Sequence, residues 1–254
     1  MTTVELSQPS PHIAVITLNH PPVNTLSWTS RADLKRILDK LDGDEDIRAV
    51  VITGSGRAFT AGAHLGEDQQ MDDGALPEFL GDFDRIINGI ENFRAPVIGA
   101  INGPAIGGGL ELALACDIRI ASTRAVFVAA GVNVGLMANF WRLARIVGLG
   151  PAKEILLTGE KYGAEEALRW GLVSSVHEPD ELMAAALAKA ERIASRAPLS
   201  VEATKRCVNR ALDVTQHDAD RLQVSEMSAL FRSEDHQEAL RAFFSKTSGN
   251  YQRR

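Results

Sequence analysis

The sequence predicts an α/β fold closed by a helical C-terminal region. Between His12 and Val176, apolar runs of strand length alternate with segments whose apolar residues recur at helical spacing, the order expected of βαβ units with right-handed crossovers. From Asp180 onward no strand-like run remains, and amphipathic stripes take over.

Val4-Glu5-Leu6 and His12 to Leu18 read as hairpin strands, followed by a turn at Asn19-His20-Pro21-Pro22. A helix from Trp28 to Asp42 carries Leu34, Ile37, Leu38 and Leu41 on one face. The strand Ala49 to Thr53 follows, and then a loop through Leu65. The stretch from Gly66 to Gly74 is acidic and poorly patterned, which marks a mobile segment. A helix from Leu76 to Phe93 leads to the strand Pro96 to Ile101, a glycine turn, a helix through Cys116 and the strand Ile118 to Ala121. Short helices are predicted at Arg142–Val147, Lys153–Leu157 and Ala164–Trp170, ahead of the strand Leu172–Val176. The stripe Leu182, Ala186, Leu187, Ala190, Ile193 and Ala194 ends at Ala197-Pro198, and two or three further helices complete the chain. The boundary at 197 divides a mixed α/β core, 1–197, from a helical region, 198–254.

Composition narrows the function classes. The chain has 254 residues, 45% of them hydrophobic and 24% charged, which is ordinary for a globular protein. A net charge of −6 without a Lys/Arg-dense run argues against nucleic acid or an anionic membrane as the main partner. No apolar run is long enough to span a bilayer and the first residues lack the pattern of a secretion signal, so a cytoplasmic location is expected. Cys116 and Cys207 lie far apart in helical patterns, which points to packing rather than a disulfide or a metal.

The chemistry concentrates at Gly107-Gly108-Gly109-Leu110-Glu111, between a strand and a helix. Consecutive glycines permit close backbone approach and positive φ, and the start of the helix leaves N–H groups unpaired at the positive end of its dipole. With a carboxylate one turn on, the segment suits oxyanion or enolate chemistry. The same glycines would also serve plain helix–strand packing, and the acid would also suit the dipole alone. A nucleotide loop is excluded by spacing: there is no G-x-G-x-x-G and no Lys-Ser or Lys-Thr after the glycines.

Arg57-Ala58-Phe59-Thr60-Ala61-Gly62-Ala63, Asn102 to Ala113, Leu157-Thr158-Gly159 and Ala164 to Val173 together resemble, in order, the signature segments of the crotonase (enoyl-CoA hydratase/isomerase) superfamily. The resemblance extends from the N-terminal hairpin to Phe243-Phe244-Ser245-Lys246. It implies a crotonase-like spiral of ββα units with a C-terminal helical trimerisation region, and assembly as a homotrimer or a hexamer of paired trimers. It further implies an acyl-CoA thioester as substrate, with coenzyme A part of that substrate and no separate cofactor or metal. By the same transfer, the N–H groups of Ala63 and Gly108 form the oxyanion hole and Glu111 is the general acid/base. Ala61 contacts the adenine, Asn24 lines the CoA groove through its backbone, and Phe243 and Lys246 lie near the CoA nucleotide.

The sequence departs from the family in two places. Hydratases of the family carry a second glutamate in a segment matched here by Phe127 to Gly135, and Gly131 stands in its position, followed by a shortened turn, Leu136 to Trp141. His64 stands where the family commonly has Asp, either as a proton donor beside the thioester or as a replacement for a hydrogen bond that holds the loop. Asn133 and Asn139 read as groups that position water or a polar acyl group, or as turn residues. Trp28, Phe140 and Trp141 read as walls of an acyl pocket, or as core and interface. Hydration of a 2-enoyl-CoA is the default activity within the family. The missing glutamate opens isomerisation, decarboxylation of a malonyl-type thioester, and non-catalytic acyl-CoA binding as alternatives.

Overall fold

The computed structural model describes residues 3–68 and 74–254. A six-stranded sheet runs in the order β1 (Val4–Ser10), β2 (Ile13–Leu18), β3 (Ala49–Gly54), β4 (Val97–Ile101), β6 (Ile118–Ser122), β9 (Ser175–His177). Only the β1–β2 pair is antiparallel; the later pairs are parallel, with crossovers through α1 (Trp28–Asp42), α3 (Leu76–Glu91) and α4 (Gly108–Ala115). A second, small sheet joins β5 (Ala105–Ile106), β7 (Val126–Val128) and β8 (Tyr162–Gly163).

The inner strands read as continuous apolar runs because both faces are covered. Ala14, Ile16, Val50 and Ile52 face a core shared with α1, α3 and α4, whereas Ile13, Val15, Ala49 and Val51 face α8 (Leu182–Ala194) through Leu182, Ala186 and Ala190. Thus the stripe read after Asp180 belongs to a helix that covers the back of the sheet.

Between the small sheet and α8 lie a 3₁₀ turn (Ala130–Val134), α5 (Phe140–Val147), α6 (Leu149–Thr158) and α7 (Ala164–Arg169). Three helices finish the chain: α9 (Pro198–Arg210), α10 (Gln216–Phe231) and α11 (Glu234–Ser245). α9 is held to the core by low-exposure charges. Lys205 Nζ donates to Asp117 Oδ2 at 2.7 Å and to the Ala95 carbonyl at 3.1 Å, and Glu202 accepts from Arg94 at 2.8 Å and Arg253 at 3.0 Å.

Several boundaries differ from the sequence expectation for identifiable reasons. β1 continues through Pro9 to Ser10 because it is an edge strand with irregular pairing at its end, where a proline is tolerated. α6 begins at Leu149, since Pro151 falls in its first turn and needs no amide bond there. The last strand is Ser175–His177, because Leu172 and Val173 turn into the core with both amides donating to the Ala167 carbonyl. A short helix, α2 (Leu65–Asp68), occupies the start of the stretch expected to be mobile, Gly74 at its end lies in a turn, and the part of that expectation on 69–73 lies outside the described residues. Among the described residues, no helix is long and apolar enough to cross a membrane.

Candidate active site

Two segments 45 positions apart meet at the glycine turn. Thr60 bridges to Ala105, whose neighbour Ile106 donates its N–H to the Thr60 carbonyl at 3.1 Å, and Ala63 bridges to Leu26. This lays residues 60–63 against the start of α4 with no room for side chains. A Cβ on Gly62 would stand 2.7 Å from the Gly108 nitrogen, and one on Gly109 would stand 2.1 Å from the Thr60 carbonyl oxygen. Gly62 and Gly107 also have φ of +78° and +54°, which only glycine adopts cheaply. Consequently the backbones of 62–63 and 108 run side by side. The N–H groups of Ala63 and Gly108 have no acceptor among the described residues.

Glu111 lies three residues after Gly108 on the first turn of α4, on the same helix face. Its Oε1 accepts the backbone N–H of Asn139 at 3.0 Å. Burial pushes the carboxyl above its ordinary range; the Asn139 N–H opposes that, the Asp84 carboxylate adds to it, and Arg142 offsets it in part. Raised in this way, the group is better suited to exchange protons near neutrality than an exposed glutamate is.

Gly131 lies in the 3₁₀ turn, and the chain passes directly over it. A Cβ there would meet the carbonyl carbon of Met137 at 2.5 Å and the nitrogen of Ala138 at 2.6 Å. The side chains of Leu136 and Met137 point to solvent, while their backbone covers the glycine. The space of a second carboxylate is therefore filled by main chain.

Other candidates divide between site and scaffold. Ala61 donates its N–H to the Val23 carbonyl at 2.9 Å, and its own carbonyl has no donor among the described residues. Asn24 corrects the expectation of a groove-lining residue: it is 2% exposed, and its groups are engaged within the protein. Nδ2 donates to the carbonyls of Ser55, Ala58 and Phe59, Oδ1 accepts from His20 N, the amide donates to the His20 carbonyl, and the carbonyl accepts from Thr60 Oγ1. No Asn24 group is left for a ligand.

The His64 ring lies 6.3 Å from that of His20 and nearly parallel to it, and its buried Nδ1 has no partner among the described residues. The loop-holding hydrogen bond expected of it is not made by that atom. Asn133 ties its turn to α6 by donating to the Gly159 carbonyl at 2.8 Å. Asn139 caps α5, its Oδ1 accepting from Trp141 N at 3.1 Å and Arg142 N at 3.4 Å.

Phe243 and Lys246 are not brought to Ala63 and Gly108. They line a cleft of about 1220 Å³ that opens at the C-terminal end of α4, with Trp141, Arg48 and Tyr251. Gly108 begins that eight-residue helix, about 10 Å away along its axis. Trp28 instead packs edge-on against Phe79.

Arg31 was not marked by sequence reasoning, yet it braces the site. It is 1% exposed, stacks 4.3 Å from the Trp28 ring, pairs with Asp82 at 2.7 Å and donates to the Leu26 carbonyl at 2.6 Å. Leu26 in turn donates to the Gly62 carbonyl, so Arg31 supports the extended segment that carries the Ala63 N–H. Its signal was an arginine three positions before Leu34, on the core face of α1.

The model of the enoyl-CoA hydratase/isomerase family matches residues 9–254. The short-chain-enoyl-CoA hydratase of Clostridium acetobutylicum is 36% identical over 241 residues, covering 92% of each chain. The (E)-benzylidenesuccinyl-CoA hydratase of Thauera aromatica is 40% identical over 246 residues, covering 95% of this chain and 94% of its own. The crystal structure of an enoyl-CoA hydratase from Bacillus anthracis superposes with a TM-score of 0.97 at 32% identity, over 99% of this chain and 100% of the other. The chain, with its glycine turn laid against residues 60–63, belongs to the enoyl-CoA hydratase/isomerase (crotonase) family.

Proposed function

We propose that the protein is a lyase acting on acyl-CoA thioesters, and that it hydrates a 2-enoyl-CoA. The observation that carries this reading is the pair of unpaired N–H groups on Ala63 and Gly108, held side by side with Glu111 one turn on. In this reading both donors are in place before any substrate arrives, and they stabilise charge that appears on the thioester oxygen only as the bond to C3 forms. One such donor is worth about 3–4 kcal/mol in the transition state. In this reading Glu111 takes a proton from water as the water oxygen attacks C3. The electron pair of the double bond moves onto the thioester as an enolate held by the two N–H groups. Glu111 then returns the proton to C2, and H and OH have added across the double bond with one carboxylate.

The covered Gly131 favours a second reading. With main chain in place of a second acid, Glu111 alone suits moving a proton between two carbons of an enoyl thioester, and the hole alone suits loss of CO₂ from a malonyl-type thioester. A pure acyl-CoA-binding protein has no evident need for the buried, raised carboxyl of Glu111.

The Ala61 carbonyl remains the candidate adenine contact. Phe243 and Lys246, at the far end of α4, serve the CoA of a neighbouring copy in this reading. No cofactor beyond the coenzyme A of the substrate is invoked. A panel of enoyl-, 3-enoyl-, malonyl- and 3-hydroxyacyl-CoA with product identification tests the proposal. The expected product is a 3-hydroxyacyl-CoA from crotonyl-CoA. Isomerised or decarboxylated products would replace hydration with the second reading, and micromolar binding without turnover would leave only a binder.

A further inference from the structure

We propose that Asn139 is the positioning residue of Glu111: in capping α5 it aims its own backbone N–H at one carboxylate oxygen, and glycine at 131 lets the chain pass closely enough to do so. This inference rests on the reading of Glu111 as the acid/base, and it assigns to the shortened loop the task of presenting that one carboxylate.

The geometry is closed on each side. Asn139 Oδ1 accepts from Trp141 N and Arg142 N, which fixes the residue at the entrance to α5 with φ −62° and ψ 112°. Its N–H then meets Glu111 Oε1 at 3.0 Å. α5 is itself anchored, because Arg142 reaches Asn88 and Glu91 on α3 at 2.6 Å each. Upstream, Leu136 N donates to the Gly131 carbonyl at 2.9 Å, and residues 137–138 lie where any side chain at 131 would stand. With Oε1 engaged, the other oxygen of Glu111 is the one left for substrate. The charged groups that face Glu111 are Asp84 from α3 and Arg142 from α5, while the residues of β5 and of the 3₁₀ turn carry none. The Asn139 N–H is thus the direct hydrogen bond that favours the ionised carboxylate in an otherwise desolvating place.

The test is a titration read by NMR. In the unmodified protein, the Asn139 amide proton should shift with the ionisation of Glu111, and Glu111→Gln should abolish that titration. Using ¹³C-labelled glutamate, with Glu111 assigned through Glu111→Gln, Asn139→Pro removes the N–H at a φ that suits proline. Gly131→Ala pushes the 137–138 backbone away from the opposite side. Both should raise the Glu111 titration by about one pH unit, and the acid limb of kcat/KM for crotonyl-CoA should follow, because the base must be ionised to accept a proton. Asn139→Ser, which keeps both a capping oxygen and the N–H, should stay within ~0.3 unit of the parent. An Asn139 amide that does not titrate, or a Glu111 titration unmoved by whichever of Asn139→Pro and Gly131→Ala folds, would reduce Asn139 to a helix cap. Undiminished turnover in Glu111→Gln is a different failure and would overturn the acid/base reading itself.

Discussion

Glu111 is held where folding and proton transfer make opposed demands. Burial raises its pKa, so the folded state binds the proton more tightly than the unfolded chain does, whose carboxyl titrates near 4.5. With the native state carrying the excess proton, its contribution to stability falls as pH rises from that value through the folded pKa. Glu111→Gln should therefore raise the melting temperature at neutral pH, with the gain disappearing below about pH 4.5. A scanning calorimetry series across pH checks this, and a variant less stable at neutral pH would contradict it. Asn24 shows the opposite economy, with every polar group engaged at a φ of +54°. Asn24→Ala should cost about 3 kcal/mol in urea unfolding, from unsatisfied buried carbonyls and a left-handed backbone that alanine tolerates poorly. The sequence showed Asn24 as part of a family segment but not its engagement within the protein, because hydrogen-bond partners 31 to 35 positions away leave no local pattern. His64 was visible as an unusual residue, whereas its unpartnered Nδ1 is a property of the packed loop alone.

At the scale of elements, the parts that rest on periodicity were legible and the parts that rest on close approach were not. The inner strands and α1, α3 and α8 announced themselves through apolar spacing, because each buries one stripe or two faces in a common core. The small sheet did not, since two of its strands, β5 and β8, have two residues each and owe their pairing to the turns around them. The glycine turn was legible as an anion-friendly segment, whereas its pairing with Ala63 was legible only through the resemblance to the family, because a contact between residues 45 positions apart leaves no local pattern. The same limit applies at Gly131: its sequence showed a missing carboxylate, and the structure adds that main chain fills the place. α9 offers an energetic test of docking. Glu202 is 3% exposed between Arg94 and Arg253, so Glu202→Ala leaves Arg94 without its carboxylate and Arg253 with only Glu45, and should cost about 3 kcal/mol. Urea unfolding of the variant measures it, and a loss below about 0.5 kcal/mol would show that the Glu202 pairs do not hold α9, leaving Lys205–Asp117 and apolar contact to do so.

The molecule as a whole leaves a surface its own chain does not cover. α10 has no buried residue, and Val224, Met227 and Phe231 expose 60–68% of their surface along it. The resemblance to the family makes assembly as a trimer or as paired trimers through residues 198–254 the expectation for this face. Analytical ultracentrifugation should give a mass three or six times 27.4 kDa, and Met227→Glu should lower it to that of a single chain. A monomer at working concentration would remove both that assembly and the proposed service of Phe243 and Lys246 to a neighbouring copy. Hydration by the Ala63 and Gly108 N–H groups with one carboxylate is checked by the steady-state turnover of crotonyl-CoA in parent and Glu111→Gln proteins. The parent should turn over and the variant should lose about 10²–10⁴-fold in kcat, with acyl-CoA affinity retained through the Ala63 and Gly108 donors. Hydration that survives Glu111→Gln undiminished would contradict it.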